Sequence, residues 1–279
     1  MRYGLIAGNG RFPFMVVDGA RRAGAQLSVV AIREETDAEM ERQVERMTWV
    51  GIGQLGKMIR FFKAEGVEKA IMAGQVKHVR IFSGAIPDAR MLKMLLKLKR
   101  RNTDSLIGGI ADELASEGIE LIDSTYFLQD SLPAAGVITR RKPNAVELSD
   151  IDYGIEISRQ IAGLNLGQTV VVRAKACVAI EAMEGTDATV RRAGEVMRGE
   201  HQRGTEKVRP RRGPLTVIKL SKADQDMRFD VPVVGMPTIQ VMIEAGATCL
   251  CISAGKTLMF DREEMVALAD KNDIAILAV

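Results

Sequence analysis

Between Lys219 and Gly235 the chain reads Lys-Leu-Ser-Lys-Ala-Asp-Gln-Asp-Met-Arg-Phe-Asp-Val-Pro-Val-Val-Gly. Its first twelve positions hold Lys219, Lys222 and Arg228 against Asp224, Asp226 and Asp230. Carboxylates at alternate positions can hold a hard cation such as Mg²⁺ through oxygen. Lys and Arg beside them can neutralise phosphate oxygens. Together they suit metal-assisted attack on a phosphate or pyrophosphate. The same composition also describes a charged surface turn closed by its own ion pairs. Only two histidines occur, His78 and His201, in unrelated contexts. A histidine-rich zinc or iron centre is thereby excluded, and any metal must be held by oxygen.

Two further stretches could contribute. Glu181-Ala-Met-Glu-Gly-Thr-Asp187 is a polar turn leading into a helix. Thr186 or Asp187 could cap that helix, or line a site at its positive end, with Glu181, Glu184 and Asp187 as additional oxygen ligands. Near the start, Gly8-Asn-Gly10-Arg-Phe-Pro13 follows an apolar run. It can offer backbone N–H groups to an anion. A dinucleotide fingerprint needs Gly where Pro13 stands, and Pro13 instead suits the first turn of a helix. Glu34 and Glu35 occupy the place of a ribose-binding acid, but the missing third glycine makes a plain Rossmann-like turn the stronger reading. The basic stretch Arg198–Arg212 reads as a loop, either a solvated connection or a phosphate lid.

These segments need elements to place them. Tyr3–Ala7, Leu27–Ile32, Ala70–Ala73 and Ile119–Ile122 read as strands, with helical patterns such as Gly53–Glu65 and Asp104–Glu117 between them. Such alternation implies a parallel sheet covered by helices. Residues 88–118 read as a long helical region in which Met91, Leu92, Leu95, Leu96 and Leu98 interleave with Lys93, Lys97, Lys99, Arg100 and Arg101. Its apolar side can face the core or meet an anionic membrane surface or acyl chain. Residues 132–143 read as a linker and Asp150–Leu164 as a helix. Then come strands at 167–173 and 176–181, a buried strand at Leu215–Ile218, and strands at Thr248–Ile252 and Ile274–Val279. The expected fold class is α/β: an N-terminal Rossmann-like domain over 1–131, a linker and connecting helix over 132–164, and a C-terminal catalytic α/β domain over 165–279.

The 279 residues suffice for two modest cores. A net charge of +3 argues against a protein that coats nucleic acid. No apolar run approaches membrane-span length, and the N-terminus lacks signal-peptide features. Cys177, Cys249 and Cys251, an odd count in strand-like runs, fit a reducing cytosol, and Cys249 and Cys251, alternating on one side of a strand, fit buried structural roles.

The segments Gly4-Leu-Ile-Ala-Gly-Asn-Gly10, Asp123-Ser-Thr-Tyr-Phe-Leu128, Asp150-Ile-Asp-Tyr-Gly154 and Leu166-Gly-Gln-Thr-Val-Val-Val172 run in order along the chain. Glu181-Ala-Met-Glu-Gly-Thr-Asp187, Gln225-Asp-Met-Arg-Phe-Asp-Val-Pro-Val-Val-Gly235, Glu244-Ala-Gly246 and Ala254-Gly-Lys-Thr257 follow. Together they resemble the LpxI-type UDP-2,3-diacylglucosamine pyrophosphatases of lipid A biosynthesis over essentially the whole length. Ala223-Asp224 stand where that family has small residues, and Ile252-Ser253 where an acidic residue is usual.

The resemblance implies hydrolysis of UDP-2,3-diacylglucosamine to UMP and 2,3-diacylglucosamine 1-phosphate with a divalent metal, Mg²⁺ or else Mn²⁺. It implies a ligand held between two domains and an essential aspartate in the Gln225-Asp226 pair. The expected catalytic residues are Asp226, Lys222 and Arg228. Gly8, Asn9, Gly10, Gln225, Thr186 and Lys219 are the expected substrate-binding residues, and Asp226, Asp224, Asp187 and Glu181 the expected metal ligands. Expected partners are the diacylated substrate and the cytoplasmic membrane surface, visited peripherally, with no nucleic acid; a homodimer is left open. A non-catalytic nucleotide-binding or regulatory module is the competing function, and dinucleotide reduction a third.

Overall fold

The computed structural model describes residues 1–75, 86–98, 103–164, 166–199, 214–222 and 225–279. The chain forms two compact units. One comprises Met1–Leu128 with Asp226–Asp230, and the other Gln129–Gln225 with Val231–Val279.

The first unit is built on a five-stranded sheet, β1 (Arg2–Ala7), β2 (Gln26–Ile32), β3 (Met47–Val50), β4 (Lys69–Ala73) and β5 (Glu120–Leu121), in the order β3-β2-β1-β4-β5. Every pairing is parallel. All five carboxyl ends therefore share one edge, where open α/β sheets bind ligands. The expected strands appear in place. The unexpected one is β3, whose Met-Thr-Trp-Val is too short and too exposed to stand out from sequence. Helices α1 (Phe12–Arg22), α2 (Met40–Gln43), α3 (Leu55–Ala64), α4 (Ala89–Lys97) and α5 (Thr103–Ala115) surround it. The side-chain alternation of strands separates two faces. Ile6, Val30 and Ile32 join Ile59, Phe62, Met94 and Leu114 of α3–α5 in one core, while α1 packs on β1, β2 and β4 outside it.

The helical region expected over 88–118 holds two helices, α4 and α5, the second where Asp104–Glu117 reads as helical. Asp88 ties the first in place: Oδ1 accepts from the Met91 amide at 2.9 Å and Oδ2 from the Gly56 amide of α3 at 2.7 Å. Lys99, Arg100 and Arg101 lie outside the described residues.

The second unit has a six-stranded sheet in the order β6-β13-β11-β9-β7-β8, formed by β6 (Gly136–Val137), β7 (Thr169–Arg173), β8 (Ala176–Ile180), β9 (Leu215–Lys219), β11 (Ala247–Ile252) and β13 (Ala275–Ala278). The central β9, β11 and β13 are parallel and the flanking pairs antiparallel. A small parallel pair joins β10 (Val233–Val234) to β12 (Leu258–Met259). Val170, Val172, Ile218, Cys249 and Cys251 face α6 (Ala145–Gly163). Val171, Val217, Leu250 and Ile276 face the layer of α7 (Thr186–Arg198), α8 (Met236–Ala245) and α9 (Arg262–Lys271). Burial pushes both strand thiols up, Cys251 to about 12, which suits an inert structural role.

The stretch read as a linker is instead tied into this unit. Val137 pairs with Leu277, and the Ile138 amide donates to Ile276 at 2.9 Å. Arg141 then grips the buried Glu147 with both terminal nitrogens at 2.8 Å. Glu147 closes a capping box on α6: Asn144 Oδ1 accepts from the Glu147 amide at 3.0 Å, and Glu147 Oε2 accepts from the Asn144 amide at 2.8 Å. The helix thus begins five residues before the expected Asp150. That aspartate is buried on the helix flank. Its carboxylate accepts from the amides of Lys175 at 2.7 Å and Ala174 at 3.1 Å. These two residues form the β7–β8 turn with positive φ of 48° and 57°, a conformation costly for side chains other than glycine.

Candidate functional site

The carboxyl edge of the first sheet collects the segments that follow its strands and one from far along the chain. After β1, Gly8 and Asn9 run alongside Gly74 and Gln75, which follow β4. The Gly8 amide donates to Ala73 at 2.8 Å, the Asn9 amide to Gln75 at 2.8 Å, and the Gln75 amide back to Asn9 at 3.2 Å. A Cβ on Gly74 would sit 2.5 Å from the Asn9 carbonyl oxygen, and one on Gly8 2.7 Å from that of Gln75. Gly8 is therefore required first for this close backbone approach. Gly10 differs: it has φ of 90° and open space where a Cβ would be. After β2, Thr36 donates to the Ala7 carbonyl at 2.6 Å, and the largely buried Glu35 lies 3.5 Å from Asn9 Nδ2.

One more segment comes from far along the chain. Asp226–Asp230 belongs to this unit, although the sequence places it among C-terminal strands. The amides of Phe229 and Asp230 donate to the Asp226 carbonyl at 3.2 and 2.9 Å, which makes the segment a turn. Phe229 packs against the α3–α5 core, and the Arg228 guanidinium sits 5.8 Å from the centre of its ring. After β5, the Ser124 amide donates to Met227 at 2.9 Å. Within the turn, Arg228 Nη2 reaches Asp226 Oδ2 at 2.6 Å and Nε reaches Oδ1 at 2.9 Å. The two side chains remain 44% and 33% exposed. The guanidinium, with help from the Arg228 amide, holds the Asp226 carboxyl below its ordinary range against the effect of burial. Asp226 in turn raises Arg228, and Asp112 adds to this. The pair is an ionised carboxylate beside a permanent cation, both reachable from solvent.

The second unit holds a separate polar set at the carboxyl end of β9. Lys219 Nζ donates to Thr186 Oγ1 and to the Val233 carbonyl, each at 2.8 Å. Thr186 Oγ1 also lies 3.0 Å from Thr169 Oγ1 and donates to Glu181 Oε1 at 3.3 Å. Glu181 Oε2 accepts from the Gln168 amide at 3.2 Å. Of the two uses open to Thr186 and Asp187, capping is not the one adopted: Gly185 is the N-cap of α7, with no side-chain cap, while Thr186 is turned to Lys219 and Asp187 accepts from Thr238 at 3.0 Å. Lys222 and Gln225 are paired to each other, with the Lys222 amide donating to Gln225 Oε1 at 2.8 Å and the Gln225 amide to Lys222 at 3.3 Å. Beside them, the Ser221 amide donates to Ser253 Oγ at 2.9 Å.

The structure thus brings Lys219, Thr186 and Glu181 together, and Asp226 with Arg228. Asp224 and His78 and His201 lie outside the described residues, as does most of the basic stretch Arg198–Arg212. Among the described residues no three of His, Cys, Asp and Glu come together as a metal-binding group. Asp226 is occupied by Arg228, Asp187 by Thr238, and Glu181 by Thr186 and Gln168. The described side chains alone therefore do not fit a metal cage. Sequence reasoning gave no role to Ser124, Thr169 or Gln75. Only Ser124 carried a signal, the polar Asp123-Ser-Thr125 run directly after a strand end.

Comparison with known proteins places these features in a family. The LpxI N-terminal domain matches residues 2–131, and the LpxI C-terminal domain residues 134–277. UDP-2,3-diacylglucosamine pyrophosphatase LpxI of Caulobacter vibrioides is 33% identical over 284 residues, covering 100% of this chain and 97% of that protein. Solved structures give weak likenesses. UDP-glucose-4-epimerase from Stenotrophomonas maltophila is 10% identical, covers 98% of both chains and has a TM-score of 0.35. Phosphoribosylglycinamide synthetase from Anaerococcus prevotii is 12% identical, covers 66% of this chain and 39% of its own, and has a TM-score of 0.27. Scores this low carry no argument. With each half matched by a domain of one family and the full length aligned to a member of it, the chain belongs to the LpxI family.

Proposed function

We propose that the protein hydrolyses the pyrophosphate of UDP-2,3-diacylglucosamine, with water adding to one phosphorus and the bridging P–O bond breaking, to give UMP and 2,3-diacylglucosamine 1-phosphate. The observation that carries this reading is the Asp226–Arg228 pair at the carboxyl edge of a parallel sheet. A pyrophosphate resists water because its anionic oxygens repel a nucleophile. Arg228 supplies a permanent positive charge suited to neutralise them. Asp226, held below the ordinary carboxylate range, is a weak base. It suits orienting an attacking water better than taking its proton outright. In the second unit, Lys219, Lys222 and Gln225 are polar groups of the kind that suit a nucleotide or a phosphate.

The reading includes dependence on Mg²⁺ or Mn²⁺, supported by the chemistry of pyrophosphates and by oxygen ligands that Mg²⁺ commonly shares with substrate phosphates. It also includes a peripheral place on the cytoplasmic membrane surface, where a diacylated substrate resides. No helix among the described residues is long and apolar enough to cross a membrane. The test is UMP release from UDP-2,3-diacylglucosamine by the purified protein. Tight binding of the substrate without turnover would instead support a nucleotide-binding module.

A further inference from the structure

The Asp226–Asp230 turn is anchored twice. Phe229, partly buried, packs against the α3–α5 core, which fixes how close the turn lies to it. An aromatic anchor alone does not fix how the turn is rotated about it. That second constraint comes from one residue of the loop after β5. The Ser124 amide donates to the Met227 carbonyl at 2.9 Å, and Ser124 Oγ lies 2.6 Å from the next carbonyl, that of Arg228. Two consecutive peptide planes of the turn are thus held by one side chain and its own backbone. They lie on either side of Arg228 and begin one residue beyond Asp226, so their orientation sets where both side chains point.

Ser124 is itself well held. It is 1% exposed. Its hydroxyl also lies 2.5 Å from the Met72 carbonyl of β4. A hydroxyl carries one proton and donates to one of these carbonyls at a time. Its loop is closed by Asp123, whose Oδ1 accepts from the Thr125 amide at 2.7 Å and hydroxyl at 2.6 Å. No bulk water reaches this point to replace the donor, so losing the hydroxyl leaves two closely spaced carbonyls without it.

We propose that Ser124 is the positioning residue for Asp226 and Arg228: it acts on turnover by fixing the turn that presents them, without touching substrate. The inference rests on the assignment of Asp226 made above. Misplacement of a reacting group by about 1 Å can cost on the order of a hundredfold in rate, so a loosened turn is read in kcat before it is read in KM.

The experiment compares UMP release by Ser124→Ala, Ser124→Thr, Ser124→Cys and Thr139→Val, with melting temperatures for each. Thr139 is a buried hydroxyl of the second unit that donates to Arg141 at 3.0 Å and serves as the stability control. Expected is a loss of roughly tenfold or more in kcat for Ser124→Ala, with KM within about twofold. Ser124→Thr, which keeps the hydroxyl, should recover most of kcat. If its added methyl unfolds the chain, Ser124→Cys, which keeps a weaker donor, should fall between Ala and wild type. Wild-type kcat in a folded Ser124→Ala protein overturns the proposal. So does an equal kcat loss in Thr139→Val at matched destabilisation, or failure of both donor-bearing variants to recover activity while folding normally. Asp226→Ala is measured in parallel: if it turns over normally, the site assignment itself falls and this proposal with it, whereas an inactive Asp226→Ala beside a fully active Ser124→Ala sinks the proposal alone.

Discussion

Arg228 closes on Asp226 from two positions along the chain, with Nη2 2.6 Å from one carboxylate oxygen and Nε 2.9 Å from the other. The pair sits on one turn, so its geometry is set locally, while its place in the molecule is set by Phe229 and Ser124. Asp226→Ala should lower kcat by two or more orders of magnitude while leaving the fold intact, as expected when a preorganised charge at the reacting centre is removed. Arg228→Ala should do the same through lost charge neutralisation and should also let the Asp226 carboxyl rise toward its ordinary range. Steady-state kinetics with circular dichroism on both variants checks this. An Asp226→Ala enzyme with near-normal kcat would sink the assignment.

Glu147 offers a stability test with a defined sign. Burial pushes its carboxyl up, but hydrogen bonds from Arg141, Thr248 and Asn144 outweigh that and hold it below the ordinary value. A carboxyl depressed in the folded state adds stability above its unfolded pKa of roughly 4.3, and that contribution is lost as pH falls through the lower folded value. Urea unfolding should therefore show stability falling below about pH 4. In Glu147→Ala this component of the slope should vanish. That variant should also be less stable at neutral pH by roughly 3 kcal/mol, because Arg141 is left partly buried without its partner.

The β7–β8 turn stores strain at Ala174 and Lys175, both at positive φ. Lys175→Gly should stabilise the protein by up to about 1 kcal/mol, since glycine adopts this conformation without the side-chain clash. Asp150→Ala should destabilise it by roughly 2 kcal/mol, because two turn amides lose a buried acceptor. Thermal unfolding of the two variants would show opposite shifts; shifts of the same sign would contradict the role given to Asp150.

Metal dependence is checked directly. Turnover should stop in excess chelator and return with Mg²⁺ or Mn²⁺, while Zn²⁺ should serve poorly with oxygen ligands and so few histidines. Full activity after exhaustive chelation would rule the dependence out.

The outer side of α4 bears Leu92 and Leu96, 49% and 75% exposed, with Lys93 and Lys97 beside them and Ile86 exposed just before the helix. Exposed leucines flanked by lysines suit the surface of an anionic bilayer. Flotation with anionic vesicles should show binding that weakens as salt rises. Lys93→Gln and Lys97→Gln should each weaken it by about fivefold, the equivalent of ~1 kcal/mol per charge. Hydrolysis of detergent-dispersed substrate should be unchanged. Vesicle binding equal to that of the parent would leave this face a solvated helix side.

Much of the architecture was legible because it is local. Apolar runs such as Leu27–Ile32 and Thr248–Ile252 announce buried strands, and their alternation with helical patterns implies parallel pairing. The charged run around Asp226 was legible only as charge: its residue types fit a phosphate site and a surface turn closed by its own ion pairs alike, and the structure shows Asp226 and Arg228 paired within such a turn. Partnerships across long separations were not legible. Nothing in Asp123-Ser-Thr125 indicates that Ser124 meets Arg228, 104 residues later. Nor does local pattern reveal that 132–143, rich in Pro, Gly and basic residues, is pinned to β13 and to Glu147 rather than being a linker. For the Thr186 hydroxyl the local pattern left a helix cap and a site lining equally open, and Lys219, 33 residues away, takes it. Residue types and periodicity act over a few positions and fix which groups are present, whereas the sheet order that brings distant strand ends to one edge is a property of the folded chain, and it decides which of those groups meet.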